Sequence, residues 1–176
     1  MDPGIDISKI KLCYYPDPIL RKMCAPVTAF DERLRQLAER MLEMMRGHRG
    51  VGLAAPQVGL PIRLFVCNTT GEPGNDLVCV NPVLADKQDL AEAEEGCLSI
   101  PEVFVPVRRG VKVRLTAFDV AGQPYERIGQ DLTARVWQHE SDHLDGRLIV
   151  DYMSEAAKIA NRRALKQLRD KHKRTA

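Results

Sequence analysis

The stretch QHESDHLDG, residues 138–146, carries the strongest chemical signal in the sequence. His139 and His143 are four residues apart, so on a helix their side chains lie on one face, about one turn apart. Two imidazoles placed in this way can bind one metal ion at about 2 Å. Glu140 lies about 100° further round the helix, where it can exchange a proton with a metal-bound water more readily than it can coordinate. Because the chain has only 4 histidines, this pattern favours a metal site over a chance pairing.

A catalytic metal site of this kind usually has three protein ligands and one open position. A third histidine in the pattern H-E-x-x-H-x-x-G-x-x-H is excluded, because Ile149 occupies that position. Glu155 remains an alternative third ligand, close to the start of a predicted helix. Cys97, in the segment EEGCLSIP, is the stronger candidate. One thiolate with two imidazoles suits Fe(II), Zn, Co or Ni.

Length and composition are those of one globular domain spanning residues 1–176, with 44% hydrophobic and 28% charged residues. No run approaches the roughly 18 apolar residues that a membrane helix needs. The N-terminal segment lacks the basic and apolar regions of a signal peptide. We therefore expect a cytoplasmic protein with no membrane partner. The 5 cysteines form no C-x-x-C pair, and disulfides are disfavoured in that compartment.

The pattern of apolar residues predicts an α+β fold. Residues 31–46 are expected to form a helix with an apolar face, and residues 131–145 a second helix that carries the histidines. Ser154 is expected to cap a third helix that runs to the C-terminus. Short strands are predicted at 62–67, 77–84 and 111–118. Residues 50–61, GVGLAAPQVGLP, have neither helical nor strand periodicity.

The positive charge of the chain is concentrated at its C-terminus. Residues 155–176 carry eight Lys or Arg and two acids, whereas the preceding residues have a net charge of −4. A solvated helix with one packed side would explain this composition. The same basic cluster would also suit contact with the phosphates of ribosomal RNA, and the sequence leaves both interpretations open.

Three segments of the chain resemble the signature motifs of peptide deformylases. They are GVGLAAPQVG at 50–59, EEGCLSIP at 94–101 and QHESDHLDG at 138–146, and their order and spacing match as well. The resemblance covers nearly the whole chain. Because the chain has no insertions, it resembles the compact bacterial form of the family. It implies small antiparallel or mixed sheets packed around a central metal-binding helix, with an N-terminal and a C-terminal helix. The implied reaction removes the formyl group from the N-terminal formylmethionine of new polypeptides and releases formate.

The resemblance also implies roles for individual residues. It makes Cys97, His139 and His143 the ligands of one divalent ion, usually Fe2+, although Zn2+, Ni2+ or Co2+ can occupy such a site. Glu140 corresponds to the catalytic acid and base, which takes the proton as metal-bound hydroxide attacks the formyl carbon. Two groups correspond to the donors that stabilise the resulting oxyanion, the side-chain amide of Gln57 and the backbone N–H of Leu98.

Further residues are assigned by the same resemblance and by apolar character. Gly52 corresponds to the glycine whose backbone pairs with the bound peptide. The expected methionine pocket consists of Val51, Ala93, Leu132 and Val136. Glu95 is expected to hold a ligand loop through an ion pair whose partner the sequence does not name. Two positions depart from the usual family pattern, Ser141 within the metal helix and Phe104 after the second motif.

Nascent formylated polypeptides are the partners that this resemblance implies, and the C-terminal helix of some relatives binds the ribosome. We expect a monomer. Two other functions are weighed against the deformylase. A zinc endopeptidase using the same helix would take Glu or His as third ligand and keep its metal after Cys97→Ser. A non-catalytic module that binds the ribosome or nucleic acid would carry a broken motif, yet all the motif residues are present.

Overall fold

The computed structural model describes residues 5–175 and confirms the α+β fold. These residues form four α-helices and five strands, with short 3-10 helices between some of them. In chain order the regular elements are α1 Glu32–Gly47, β1 Gly52–Ala54, β2 Leu64–Cys67, β3 Leu77–Cys97, β4 Ile100–Phe118, β5 Pro124–Gln130, α2 Asp131–Leu144, α3 Glu155–Ala160 and α4 Arg162–Thr175.

The five strands form one antiparallel sheet in the order β1-β2-β3-β4-β5. Each strand pairs with the next one along the chain, so the sheet needs only short connections. The β3–β4 hairpin is much the longest pair, and it closes where Cys97 lies opposite Ile100. Parallel pairing among the described residues is confined to one isolated bridge, between Ala25 and Ile62.

Helix α1 covers one side of the first two strands. It begins where the Asp31 side chain accepts a hydrogen bond from the Leu34 N–H at 2.9 Å, a normal helix cap. Leu34, Leu37, Met41 and Met45 are almost fully buried in one cluster with residues of β1 and β2. The predicted helix at 31–46, its apolar face included, is therefore confirmed.

Helix α2 lies in the interior and contacts β1, β2, β4 and β5. Ala134, Trp137 and Leu144 are buried against the sheet. Gly129 makes the packing of Trp137 possible, because a Cβ at that position would lie 2.5 Å from the indole ring. Trp137, the only tryptophan, is thus a core residue. Its burial fixes the rotation of α2, and with it the direction of the two histidines.

The strand predictions were incomplete at four places. The strand predicted at 111–118 is the second half of β4, which begins already at Ile100. Residues 50–61 contain the short strand β1, although no periodicity was visible there. Strand β3 does not stop at residue 84 but continues to Cys97 through the largely exposed segment ADKQDLAEAEEG, residues 85–96. Strand β5 was missed for the same reason, since its residues are mostly exposed. Residues 85–96 and β5 are extended because they pair with β4, and β1 is extended because it pairs with β2. Backbone pairing of this kind requires no apolar alternation in the sequence.

The predicted C-terminal helix is divided into two. Ser154 caps it as expected, accepting a hydrogen bond from the Ala157 N–H at 3.2 Å. The chain then turns at Asn161, which separates α3 from α4. None of the helices formed by residues 5–175 combines the length and apolar character needed to cross a membrane.

Candidate metal centre

The structure brings together the three side chains that the sequence predicted as metal ligands. One donor atom from each of Cys97, His139 and His143 lies within 4.8 Å of the other two. The Cys97 Sγ is 3.4 Å from the His143 Nε2, and the two imidazole rings are 5.0 Å apart between centroids. The alternative ligand Glu155 is not in this group. It is exposed at the start of α3, where it pairs with Lys158 at 2.6 Å.

Two distant elements meet at this cluster. The histidines come from consecutive turns of α2, whereas Cys97 ends β3 directly before the tight turn that starts β4. Cys97 is 46 residues from His143 in the chain. The glycine before it, Gly96, packs against the ring of Phe104 from the opposite strand. The hairpin therefore delivers the sulfur to the face of the helix that carries both imidazoles.

The donor set fits a divalent cation. The His139 Nδ1 contacts a Glu95 carboxylate oxygen at 3.1 Å, so its Nε2 is the nitrogen left for coordination. Burial lowers the pKa of His139, but hydrogen bonds with Cys97 and Glu95 outweigh this effect and hold the pKa well above its usual value. Burial, followed by repulsion from His139, holds the pKa of His143 well below its usual value. His143 is thus neutral, as a metal ligand must be, and the groups around His139 favour a positive charge at the cluster.

Glu140 lies in the same cavity with one carboxylate oxygen buried and without a hydrogen-bond partner among the described residues. Burial raises its pKa to about 7, while the nearby His139 lowers it. Gly52 makes room for this carboxylate, because a Cβ at position 52 would overlap with Oε1. A carboxyl group with such a pKa can both accept and release a proton near neutrality.

Gln57 is held with its amide nitrogen toward the cluster. Its Oε1 accepts a hydrogen bond from the Ala54 N–H at 2.8 Å. Its Nε2 donates to the Ser99 hydroxyl at 3.2 Å and lies 3.5 Å from the Cys97 Sγ. The side chain is 1% exposed, so this orientation is fixed by packing and by both hydrogen bonds. Leu98 follows Cys97 in the hairpin turn and also lines the cavity.

Glu95 has the ion-pair partners that the sequence could not name. Arg109 binds both of its oxygens, through Nε and Nη2, each at 2.9 Å. Arg135 adds a third hydrogen bond at 2.8 Å. Burial would raise the pKa of Glu95, but the hydrogen bonds from His139 and Arg109 lower it to about 2. Glu95 therefore stays ionised and connects the hairpin to the metal helix.

The network continues beyond Glu95. Arg109 also donates to Asp142 at 2.6 Å, and the Tyr152 hydroxyl donates to the same carboxylate oxygen at 2.8 Å. The Arg109 guanidinium lies 4.9 Å from the centre of the Tyr152 ring. Sequence reasoning missed Arg109, Arg135, Asp142 and Tyr152. Asp142 directly precedes a ligand, which was an available signal, whereas Arg109 lies in the first half of β4, which the sequence did not predict as a strand.

The residues predicted to receive the substrate mostly share this cavity, which has a volume of about 920 Å³. Val51, Leu132 and Val136 line it, and the buried Gly52 is also part of its wall. Ala93 is not among the lining residues, so that expectation was wrong. Ala93 pairs with Val107 of β4, further along the hairpin from Cys97, and the wall of the cavity begins at the next residue, Glu94.

The two departures from the family pattern also have defined positions. Phe104 lines the cavity and is 57% exposed. The Ser141 hydroxyl is buried on α2 with no hydrogen-bond partner among the described residues. Ser141 does not line the cavity, so only Phe104 is placed to contact a peptide.

Comparison with known proteins agrees with this site. A profile of the family described as Polypeptide deformylase matches residues 9–158. The peptide deformylase of Alkalilimnicola ehrlichii is 43% identical over 160 residues, which cover 90% of each chain. A solved peptide deformylase from Legionella pneumophila is 41% identical, with a TM-score of 0.87 over 94% of this chain and 98% of its own. A plant peptide deformylase gives a TM-score of 0.93 at 38% identity, over 99% and 96% of the two chains. This chain therefore belongs to the polypeptide deformylase family, and its activity is the removal of N-formyl groups from polypeptides.

Proposed function

We propose that this chain hydrolyses the formamide bond of the N-terminal formylmethionine of new polypeptides at the centre formed by Cys97, His139 and His143. The observation that carries the proposal is the convergence of these three donors with Gln57 and Glu140 in one cavity. The remaining assignments extend this proposal to the metal, to the individual residue roles and to the partners.

Fe(II) is the metal that we assign to the site, with Zn2+, Ni2+ or Co2+ as possible substitutes. The mixed set of one sulfur and two nitrogen donors suits this group of ions. When bound, such a cation supplies Lewis acidity and lowers the pKa of a coordinated water. Glu95 orients His139 for coordination, in the way that carboxylates commonly orient metal-binding histidines.

Proton transfer is assigned to Glu140. Its carboxylate is 4% exposed and lies against Gly52 at the edge of the cavity. In this role it takes a proton from the attacking water and delivers it to the amine nitrogen as the carbon–nitrogen bond breaks. Formate and a free N-terminal amine are the products.

Charge stabilisation is assigned to Gln57 and to the backbone N–H of Leu98. As water adds to the formyl carbon, negative charge develops on the formyl oxygen. Hydrogen-bond donors held in place beforehand stabilise that charge without reorganising, and each is worth about 3–4 kcal/mol. The two hydrogen bonds of Gln57 provide this rigidity.

Substrate binding is assigned to the backbone at Gly52 and to an apolar pocket of Val51, Leu132 and Val136. Val51 and Leu132 are 43% and 50% exposed, so they offer apolar surface that a methionine side chain can cover. The small size of the formyl group allows a tight site that excludes larger acyl groups.

The wider assignments are a single catalytic domain over residues 1–176, a cytoplasmic location, a monomeric state and contact of the C-terminal helix with ribosomal RNA. The RNA contact is supported by exposed cations along α4, namely Arg162, Arg163, Lys166, Arg169, Lys173 and Arg174. Replacing four of them by Glu should abolish co-sedimentation with ribosomes at low salt. Unchanged co-sedimentation would refute the contact.

Formate release tests the central proposal. The purified protein, loaded anaerobically with Fe(II), Ni(II) or Co(II), should release formate from formyl-Met-Ala-Ser, and metal analysis should give one ion per chain. Cys24→Ser should behave as the parent, because Cys24 lies outside the cavity. If the protein released no formate with Fe(II), Ni(II) and Co(II) alike, the assignment would be overturned. The endopeptidase alternative would instead show internal peptide cleavage, but Glu155, its alternative third ligand, lies outside the cluster.

A further inference from the structure

Helix α4 is held against the hairpin next to the metal centre. Leu165 is 8% exposed and packs in a cluster with Ile100, Val103 and Val105 of β4. At the junction before α4, the Asn161 side chain donates a hydrogen bond to the Phe104 carbonyl at 3.2 Å. These contacts give α4 a defined place beside the catalytic cavity, in addition to its exposed basic face.

The C-terminal part of α4 forms part of the cavity wall. Leu168, Lys171 and His172 line the same cavity as Cys97 and the histidines. The Lys171 ammonium lies 5.8 Å from the centre of the Tyr14 ring, within the range of a cation–π contact. Tyr14 also lines the cavity. The N-terminal segment and α4 thus meet at one side of the cleft.

The cavity is larger than formylmethionine requires. Its volume of about 920 Å³ is near the upper end of the roughly 300–1,000 Å³ range found for pockets that hold drug-sized ligands. A formylmethionine residue is smaller than such ligands. Space therefore remains for residues that follow it in the polypeptide.

The charges around this space are unevenly distributed. Lys11 and Lys171 lie on the side formed by the N-terminal segment and α4, and Arg49 lies in the loop after α1. The acids Glu94 and Glu102 belong to β3 and β4. Two more lining acids, Glu95 and Glu140, belong to the metal centre, and the fifth, Asp17, lies in the N-terminal segment, where its carboxylate accepts a hydrogen bond from the Ile19 N–H at 2.9 Å. On the side with α4, two lysines stand against the single carboxylate of Asp17, so these lining residues carry a net positive charge.

We propose that Lys171 and Lys11 form a distal subsite that favours an acidic side chain a few residues after the formylmethionine of the substrate. The inference rests on the proposed function and adds a substrate preference to it. Opposite charges on an exposed pair contribute modestly, by a factor of roughly two to five in affinity. The subsite acts on binding, so the preference belongs in KM rather than in kcat.

Steady-state kinetics on short amidated peptides test this inference without ribosomes. The series is formyl-Met-Ala followed by three alanines, with Asp, Asn or Lys placed at the third, fourth or fifth residue. For at least one position, KM should be about two- to five-fold lower with Asp than with Lys, and Asn should lie between them. In 1 M NaCl the difference should largely disappear, because the screening length falls to about 3 Å.

Charge reversal supplies the decisive variants. Lys171→Glu and Lys11→Glu should each bring the ratio of the KM values for the Asp and Lys peptides close to one, because one positive and one negative side chain then remain. Lys171→Met should weaken the preference, and the double variant with Glu at both positions should invert it. Lys166→Glu is the matched control, because Lys166 is exposed on the same helix but does not line the cavity. It should keep the parental ratio.

Equal KM values for all peptides with the parent protein would overturn the subsite. So would a change in the ratio of the KM values in Lys166→Glu as large as the change in Lys171→Glu. Failure of the proposed function is a separate outcome, seen as no formate release from formyl-Met-Ala by the parent protein. Circular dichroism of each variant identifies one that does not fold. In that case Lys171→Met supplies the test in place of Lys171→Glu.

Discussion

Helix α2 and the β3–β4 hairpin both contribute to the metal centre, but in different ways. The helix supplies His139 and His143 through a four-residue spacing that any regular helix would create. The hairpin supplies Cys97 from the end of two long strands, 46 residues away from His143. One contribution is local and the other depends on the assembled fold. The Glu95 network connects the two, because Glu95 on β3 binds Arg109 on β4 and both Arg135 and His139 on α2.

Removal of a ligand from either region should have the largest effect. Cys97→Ala and His143→Ala are each expected to leave only two of three protein donors, so the purified proteins should lose bound metal and measurable formate release. Metal content per chain and formate production measure both effects. Cys24→Ser is the control. If Cys97→Ser retained one metal ion per chain, Cys97 would not be a metal ligand. That result would favour the endopeptidase interpretation.

Disconnecting the two regions should have the next largest effect. Glu95→Ala removes the carboxylate that orients His139 and that both Arg109 and Arg135 bind in a buried site, so that Asp142 is the one acid still paired with Arg109 among the described residues. We expect metal affinity or activity to fall by about 10–100-fold and the free energy of unfolding by about 3–5 kcal/mol. Competition with a chelator and urea denaturation provide the measurements.

Glu92→Gln is the matched control for Glu95, since Glu92 is exposed on the same strand and does not line the cavity. Its metal affinity and stability should stay close to those of the parent. Unchanged metal content and activity in Glu95→Ala would show that the hairpin positions Cys97 without this ion pair.

A substitution at Gly52 tests how closely α2 approaches the sheet. In Gly52→Ala the new Cβ would overlap with the Glu140 Oε1, so the carboxylate must move away to restore an ordinary contact distance. Displacement of a catalytic group by about 1 Å can cost roughly 10²-fold in rate, so kcat should fall while KM changes little. Gly47→Ala serves for comparison, because a Cβ there meets nothing within 4 Å. Equal kcat values in the two variants would contradict the assigned role of Glu140.

The smallest effect is expected from an ion pair outside both regions. Asp151, in the segment after α2, binds Arg21 and accepts a hydrogen bond from the Leu148 N–H at 2.8 Å. Burial raises the pKa of Asp151, but these hydrogen bonds outweigh it and lower the pKa below its ordinary value of 3.8. A lowered carboxylate pKa stabilises the folded state above pH 3.8, and this contribution is lost as the pH falls through the folded pKa.

Asp151→Asn should therefore destabilise the protein at pH 7 by at most about 1 kcal/mol, as is usual for a half-exposed pair. The difference from the parent should shrink below pH 3.8. Urea denaturation at several pH values measures it, with Asp170→Asn on the exposed face of α4 for comparison. A difference that grew toward acid pH would contradict the assignment.

The sequence predicted the elements that are stabilised by their own apolar faces. Helix α1 and the metal helix appear within a residue or two of their expected bounds, because burial on one side imposes a helical period on their residues. The distal half of β3 and all of β5 were missed because their residues are largely exposed. Their extended conformation comes from backbone pairing with β4, which any residue type can make.

The sequence by itself determined the metal helix, its two histidines and the adjacent Glu140, since a regular helix converts spacing directly into a shared face. It also supplied Cys97 and Gln57 as candidates through their motifs. Only the tertiary structure decided that Arg109 and Arg135 hold Glu95, and that the end of α4 forms one side of the cleft. These contacts join residues far apart in the chain, and no local periodicity encodes them. They depend on strand register and on helix packing, which are established when the whole chain has folded.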